Sequence, residues 1–140
     1  MEKIFDNFNY IVGGVVGLIT TLYGGFTMGV QVLLIFAICD WVTGVCTSIV
    51  LGKSDKTING AYSSKVGFEG ICRKVLMFIF VMLAHQVDLL VGTDYLKDAI
   101  CIAFILNECY SMLENAKLWG LSIPTTIIEV LENFKNKYSK

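Results

Sequence analysis

The chain has 140 residues, of which 55% are hydrophobic and only 16% charged, against the roughly 25% charged residues usual in soluble domains. Residues 7–39 carry no charge, and 75–87 carry one ionisable group, His85. So much apolar surface cannot be hidden inside a soluble fold of this size, so the chain reads as an integral membrane protein. The net charge of −1 says little, because charge is segregated by segment, and no folded basic surface for nucleic acid is indicated.

The N-terminal stretch resembles a signal peptide only superficially. Its single lysine is balanced by two acids and no small-residue cleavage site follows, so a retained helix is expected. The first apolar segment, about residues 9–26, is just long enough to cross the ~30 Å hydrocarbon core at ~1.5 Å per residue. Gly13 and Gly17 form a GxxxG pair, a spacing that lets helix backbones approach closely in lipid, although glycine is also tolerated there without a partner. Gly24, Gly25 and Gly29 mark a short uncharged turn into a second segment, about 27–51. The two segments are expected to form a tight antiparallel hairpin, with a re-entrant first segment as the competitor. Gly44 in the second segment is a further helix-packing candidate.

Residues 52–74 are the one long hydrophilic stretch between apolar regions, and are read as a loop. They hold Lys53, Lys56, Lys65, Arg73 and Lys74 against Asp55 and Glu69, a cationic excess that places them on the cytoplasmic side. A third span, about 75–92, leads through a short outer turn to a fourth, about 99–119. Trp119 then suits an interfacial position. Beyond Pro124, Ile123, Ile127, Leu131, Phe134 and Tyr138 recur at helical spacing, giving a cytoplasmic amphipathic tail over 122–140. The expected architecture is all-α and polytopic, a single membrane domain with four spans and both termini in the cytoplasm. Ten of the eleven cationic residues then lie inside and only Lys97 outside.

Ionisable groups within spans are functional candidates, since each costs about 2.5–3.5 kcal/mol at the bilayer centre even on insertion scales. Counted along the expected spans, Asp40, His85 and Glu108 fall near mid-depth, and no lysine or arginine accompanies them. The two acids are therefore expected to be protonated, paired with His85 or facing water. Asn107, Ser111 and Glu114, with Glu108 and Asn115, form one polar face on the fourth span. That face either stabilises one bundle internally or lines a hydrated lumen made on oligomerisation. Glu114 also lies near Lys117, and Asp88, near the outer end of the third span, has the option of snorkelling.

Five cysteines in an odd set without CxxC spacing read as small hydrophobes. No cofactor or metal site and no enzyme signature is indicated; the single histidine excludes a His-pair metal centre.

DWVTG at Asp40–Gly44, SSKVGFEGICRK at Ser63–Lys74, AHQVD at Ala84–Asp88 and NECYSMLENAKLWGLSIP at Asn107–Pro124 together resemble the phage-lysis and toxin-secretion holin family, over about residues 36–135. The resemblance implies a non-enzymatic protein that accumulates in the bacterial cytoplasmic membrane. There it would assemble as a homo-oligomer into lesions that release an endolysin or export a toxin. Two other readings are an oligomeric ion channel or proton-coupled transporter subunit, with Asp40, His85 and Glu108 as a relay, and a passive scaffold recruiting a soluble partner.

Overall fold

A computed structural model describes residues 2–52 and 63–138, and among these the secondary structure is entirely helical. Helix α1 spans Glu2–Leu22, α2 Met28–Cys46 with a π-helical continuation over Thr47–Leu51, α3 Ser64–Val91, α4 Leu96–Leu118 and α5 Thr125–Tyr138. The core is a three-helix bundle of α2, α3 and α4, in which α2 and α4 run parallel and α3 runs antiparallel to both.

Helices α2 and α3 each turn a stripe at three- and four-residue spacing inward: Val30, Leu33, Ala37 and Asp40 on α2, and Met77, Val81, Ala84 and Asp88 on α3. Leu33, Val81 and Cys101 of α4 meet at its centre. Around this narrow core the large side chains point outward, among them Ile35, Ile38, Phe80, Leu83 and Leu90. An apolar exterior around a partly polar interior inverts the arrangement of a water-soluble bundle and suits lipid as solvent. Met28–Leu51 and Ser64–Val91, of 24 and 28 residues, are long and apolar enough to cross a membrane. At ~1.5 Å per residue they reach roughly 36 and 42 Å, beyond the ~30 Å hydrocarbon core.

The start of the third helix differs from that expected. Helix α3 starts at Ser64, so Lys65, Arg73 and Lys74 belong to a helix and not to a loop. The stretch contains no proline and follows Ser63, a residue type favoured before a helix, so hydrophilicity alone does not interrupt it. Lys53 and Lys56 lie outside the described residues.

The expected hairpin of the first two segments is not formed. Helix α1 makes its main packing contacts with α3 and leaves most of its length exposed. The turn after it is nevertheless tightly specified. Gly24 and Gly25 take positive φ values of 67° and 96°, and their N–H groups close onto the carbonyls of Thr21 and Thr20 at 3.2 and 2.7 Å, the Schellman arrangement. At Gly24 a Cβ would overlap the His85 imidazole, so glycine is required by close approach as well as by backbone conformation. The Gln86 amide donates to the Leu22 carbonyl (3.0 Å) and the Tyr23 hydroxyl to the Phe78 carbonyl (2.9 Å), which ties this turn to α3.

Candidate functional site

Asp40 and Glu108 each lie twelve residues beyond the first residue of their helices, Met28 and Leu96. Because α2 and α4 run in parallel, equal positions put the two carboxylates at one level of the bundle. Lys74, ten residues beyond Ser64 on antiparallel α3, arrives at that level from the other direction. Its Nζ donates to Asp40 Oδ2 at 2.8 Å and also to Glu108 Oε2. Asp40 is 5% and Glu108 3% exposed, and the Lys74 side chain 15%.

The expectation that no cation shares the depth of the two acids is therefore corrected. Hydrophilic composition puts Lys74 at a loop boundary, whereas ten residues of helix carry it ~15 Å along the bundle. Its four-carbon stem then delivers the ammonium to the interior. Removing Lys74 from such a buried cluster leaves both acids without their cation, at a cost of about 3–5 kcal/mol.

A ladder of hydrogen bonds, one within α2 and two between α2 and α4, continues from the cluster. Thr43 donates to the Asp40 carbonyl (3.0 Å), Asn115 Nδ2 donates to Thr43 Oγ1 (3.1 Å), and Trp119 Nε1 donates to Thr47 Oγ1 (2.9 Å). Both cross-helix pairs span 72 residues of sequence, so α2 and α4 keep one register over this length. Gly44 lies inside it, where a Cβ would sit 3.7 Å from Asn115 Nδ2. On the α3 side Trp41 Nε1 donates to the Gly67 carbonyl at 3.3 Å.

Beside the cluster is a crevice of about 960 Å³ between the three helices, with Asp40, Lys74, Glu108, Ser111 and Asn115 among its lining residues. It runs from Phe80 and Phe104 to Ser48, Ser63 and Leu118, the end of the bundle where α2 finishes and α3 begins. Asn107 and Glu114 also line it and are exposed, as is Arg73. The polar face of α4 is thus divided: Glu108 and Asn115 point into the bundle, and Asn107 and Glu114 reach its surface.

Two other candidates lie elsewhere. His85 packs under the α1–α2 turn against Gly24, eleven residues along α3 from Lys74, or about 16 Å. Pairing of His85 with Asp40 and Glu108 is therefore excluded by distance. The apparent common depth came from starting the third span at residue 75. Asp88 does not snorkel outward. It is 3% exposed and accepts hydrogen bonds from the Thr93 hydroxyl (2.6 Å) and from the backbone N–H groups of Leu96 (3.1 Å) and Lys97 (2.8 Å). A carboxylate of α3 thereby caps the N-terminus of α4, satisfying donors that a helix start leaves open. The Lys97 ammonium reaches the Tyr23 carbonyl at 3.4 Å, so all three helix ends meet there.

Around Gly13 and Gly17, an added Cβ would meet no atom within 4 Å. Lys65 is exposed on the first turn of α3. The participation of Lys74, Thr43, Thr47 and Trp119 was not anticipated. The available signal was the spacing of Asp40, Thr43 and Thr47 at i, i+3 and i+7, which puts three polar groups on one face of an apolar helix.

The family model described as the bacteriophage holin family matches residues 17–136. An uncharacterised protein of Listeria monocytogenes is 37% identical over 113 residues, covering 80% of this chain and 72% of the relative. An uncharacterised 14.9 kDa protein encoded in the nagH 3′ region of Clostridium perfringens is 32% identical over 142 residues, covering 98% and 99%. An uncharacterised protein of Bacillus subtilis is 29% identical over 117 residues, covering 83% and 77%. No solved structure matches the chain.

Proposed function

The chain belongs to the bacteriophage holin family, and from that premise we propose that it is a non-enzymatic, pore-forming protein of the bacterial cytoplasmic membrane. In this reading α1 and α4 cross the bilayer with α2 and α3, both termini face the cytoplasm, and copies of the chain assemble into lesions. The lesions release an endolysin to the cell wall or let a large protein such as a toxin leave the cell.

The observation that carries the reading is the buried Lys74–Asp40–Glu108 cluster inside an apolar-surfaced bundle. A monomer that satisfies its charges internally is soluble in lipid. The same groups, once exchanged for water and for neighbouring copies, line a hydrated lesion. A threshold follows, because the intramolecular contacts must be given up together. The alternative of a selective proton relay through Asp40, His85 and Glu108 is weakened by the ~16 Å separating His85 from the cluster along α3.

The test is induction in a bacterium with a co-expressed cytoplasmic endolysin, following membrane potential and optical density. A lag, then abrupt depolarisation and lysis that needs the endolysin, is the expected result. Slow ion leakage with the endolysin retained inside would instead identify a channel, and growth at full potential a scaffold.

A further inference from the structure

Helix α5 carries one apolar stripe, Ile127, Val130, Leu131 and Phe134, with Glu129 and Glu132 on the opposite side. At about 100° per residue, Lys135 and Lys137 fall on the two flanks of that stripe. The helix packs on α4. An apolar groove of about 380 Å³ runs along this contact, lined by Phe36 of α2 and by Cys109, Met112 and Leu113 of α4. Ile127, Val130 and Leu131 line it from α5. The stripe is covered only in part, since Ile127 and Val130 remain 46% and 48% exposed.

This seat conflicts with lipid as the surrounding solvent. Phe36 lies eight residues after Met28 and fifteen before Leu51, about 12 and 22 Å from the two ends of that helical stretch. Cys109 lies nine residues before the end of α4 at Leu118, about 14 Å in. When the bundle crosses a bilayer, the groove is therefore level with the hydrocarbon core. Glu129 and Glu132 adjoin Val130 and Leu131 in sequence and are exposed, so the seat sets two acids against acyl chains, which cannot hydrate them. The α2 and α4 walls of the groove have no such conflict. They consist of apolar side chains, which lipid covers as readily as a helix does.

The connection to α4 leaves room for a second seat. Residues 119–124 join the two helices, with Gly120 at a φ of 75°, and six residues extend up to ~20 Å. Trp119, half-exposed at the start of this connection, is a residue type enriched where membrane meets water.

We propose that in the bilayer α5 yields the groove to lipid and lies on the cytoplasmic headgroup surface, its stripe in the acyl boundary and Lys135 and Lys137 beside anionic headgroups. An amphipathic helix in that position sinks its apolar face by about 5–10 Å and keeps its acids in water. Lysines on the flanks of the stripe are placed to reach the lipid phosphates. The proposal rests on the reading that the bundle crosses the bilayer with its C-terminus inside, and it does not require lesions.

The test uses the full-length protein with the photoreactive residue p-benzoylphenylalanine in place of the exposed Val130, reconstituted in phosphatidylglycerol-containing liposomes. Irradiation followed by mass spectrometry reads what the stripe touches, and resistance to alkaline carbonate reads insertion. Lipid adducts are expected to dominate in the carbonate-resistant protein. Lys135→Glu with Lys137→Glu is expected to lower their yield several-fold in these liposomes, and not in phosphatidylcholine alone. An unchanged yield overturns the part assigned to the lysines. Cross-links to Phe36 or to residues 109–113 in the inserted protein overturn the proposal, and so does a dimer-sized product, which would put a second copy on the stripe. The same photoreactive residue at Phe134 gives an independent reading should the Val130 variant fail to fold. Protein that carbonate strips from the liposomes overturns the membrane-crossing reading and the proposal with it, whereas inserted protein cross-linked to α4 overturns the proposal alone.

Discussion

Helices α1 and α2 both carry long uncharged apolar runs, yet the bundle treats them differently. Helix α2 is locked to α4 by a charge cluster, two side-chain hydrogen bonds in one register and a glycine at the contact. Among the described residues, helix α1 is anchored mainly through its C-terminal turn, and a Cβ added at either glycine of its GxxxG pair would meet no atom within 4 Å. In lipid, apolar surface gives no drive for helices to associate, so packing follows polar partners and close-fitting small residues. Helix α2 has Asp40, Thr43 and Thr47 opposite partners on its neighbours. On α1 the threonines Thr20 and Thr21 stand at the other end of the bundle, near His85, and their hydroxyls bond back to the helix's own carbonyls at 2.8 and 2.9 Å.

The contrast can be broken most forcefully at Lys74. Lys74→Ala is expected to lower bundle stability by about 3–5 kcal/mol, since it strands two buried acids. Reversible unfolding in detergent micelles measures it, and a loss under 1 kcal/mol would mean that the cluster is hydrated. A smaller effect is expected one step along the ladder. Asn115→Ala removes a single interhelical hydrogen bond, worth about 0.6 kcal/mol on average and at most about 1.7 kcal/mol in comparable membrane bundles; a cycle with Thr43→Val isolates the pair. The smallest change sharpens the comparison from the other side. Gly17→Leu on α1 is expected to alter monomer stability by no more than about 0.5 kcal/mol, because the space around it is open. A cost matching that of Asn115→Ala would show that α1 packs on the bundle after all.

Much of the helical order was legible along the chain. Gly24–Gly25, Gly92 and Gly120, all with positive φ, stand where apolar runs end, and the stripes that form the core recur at helical spacing. The start of α3 was less legible. Hydrophilic composition over 63–74 is shared by loops and by the first turns of a helix, and only the backbone hydrogen bonds separate them. The site inherited that ambiguity. Asp40 and Glu108 stood out by cost of burial, but the identity of their partner depended on where α3 begins, and His85 was brought wrongly to their level by the same boundary. Asp88 was misplaced for a related reason. Its partners are backbone N–H groups of Leu96 and Lys97, donors present at every helix start that no residue type advertises.

The sequence by itself determined the all-helical class, the family, and which acids are costly enough to need an explanation, because those depend on composition and local periodicity. Only the tertiary structure decided that Lys74 answers both acids, that Asp88 caps α4 and that α1 stands apart from α2. These are contacts between helices, and they depend on the direction and axial offset with which the helices meet. A shift of a few residues moves a side chain by a full turn of helix, about 5.4 Å, which is enough to replace one partner by another.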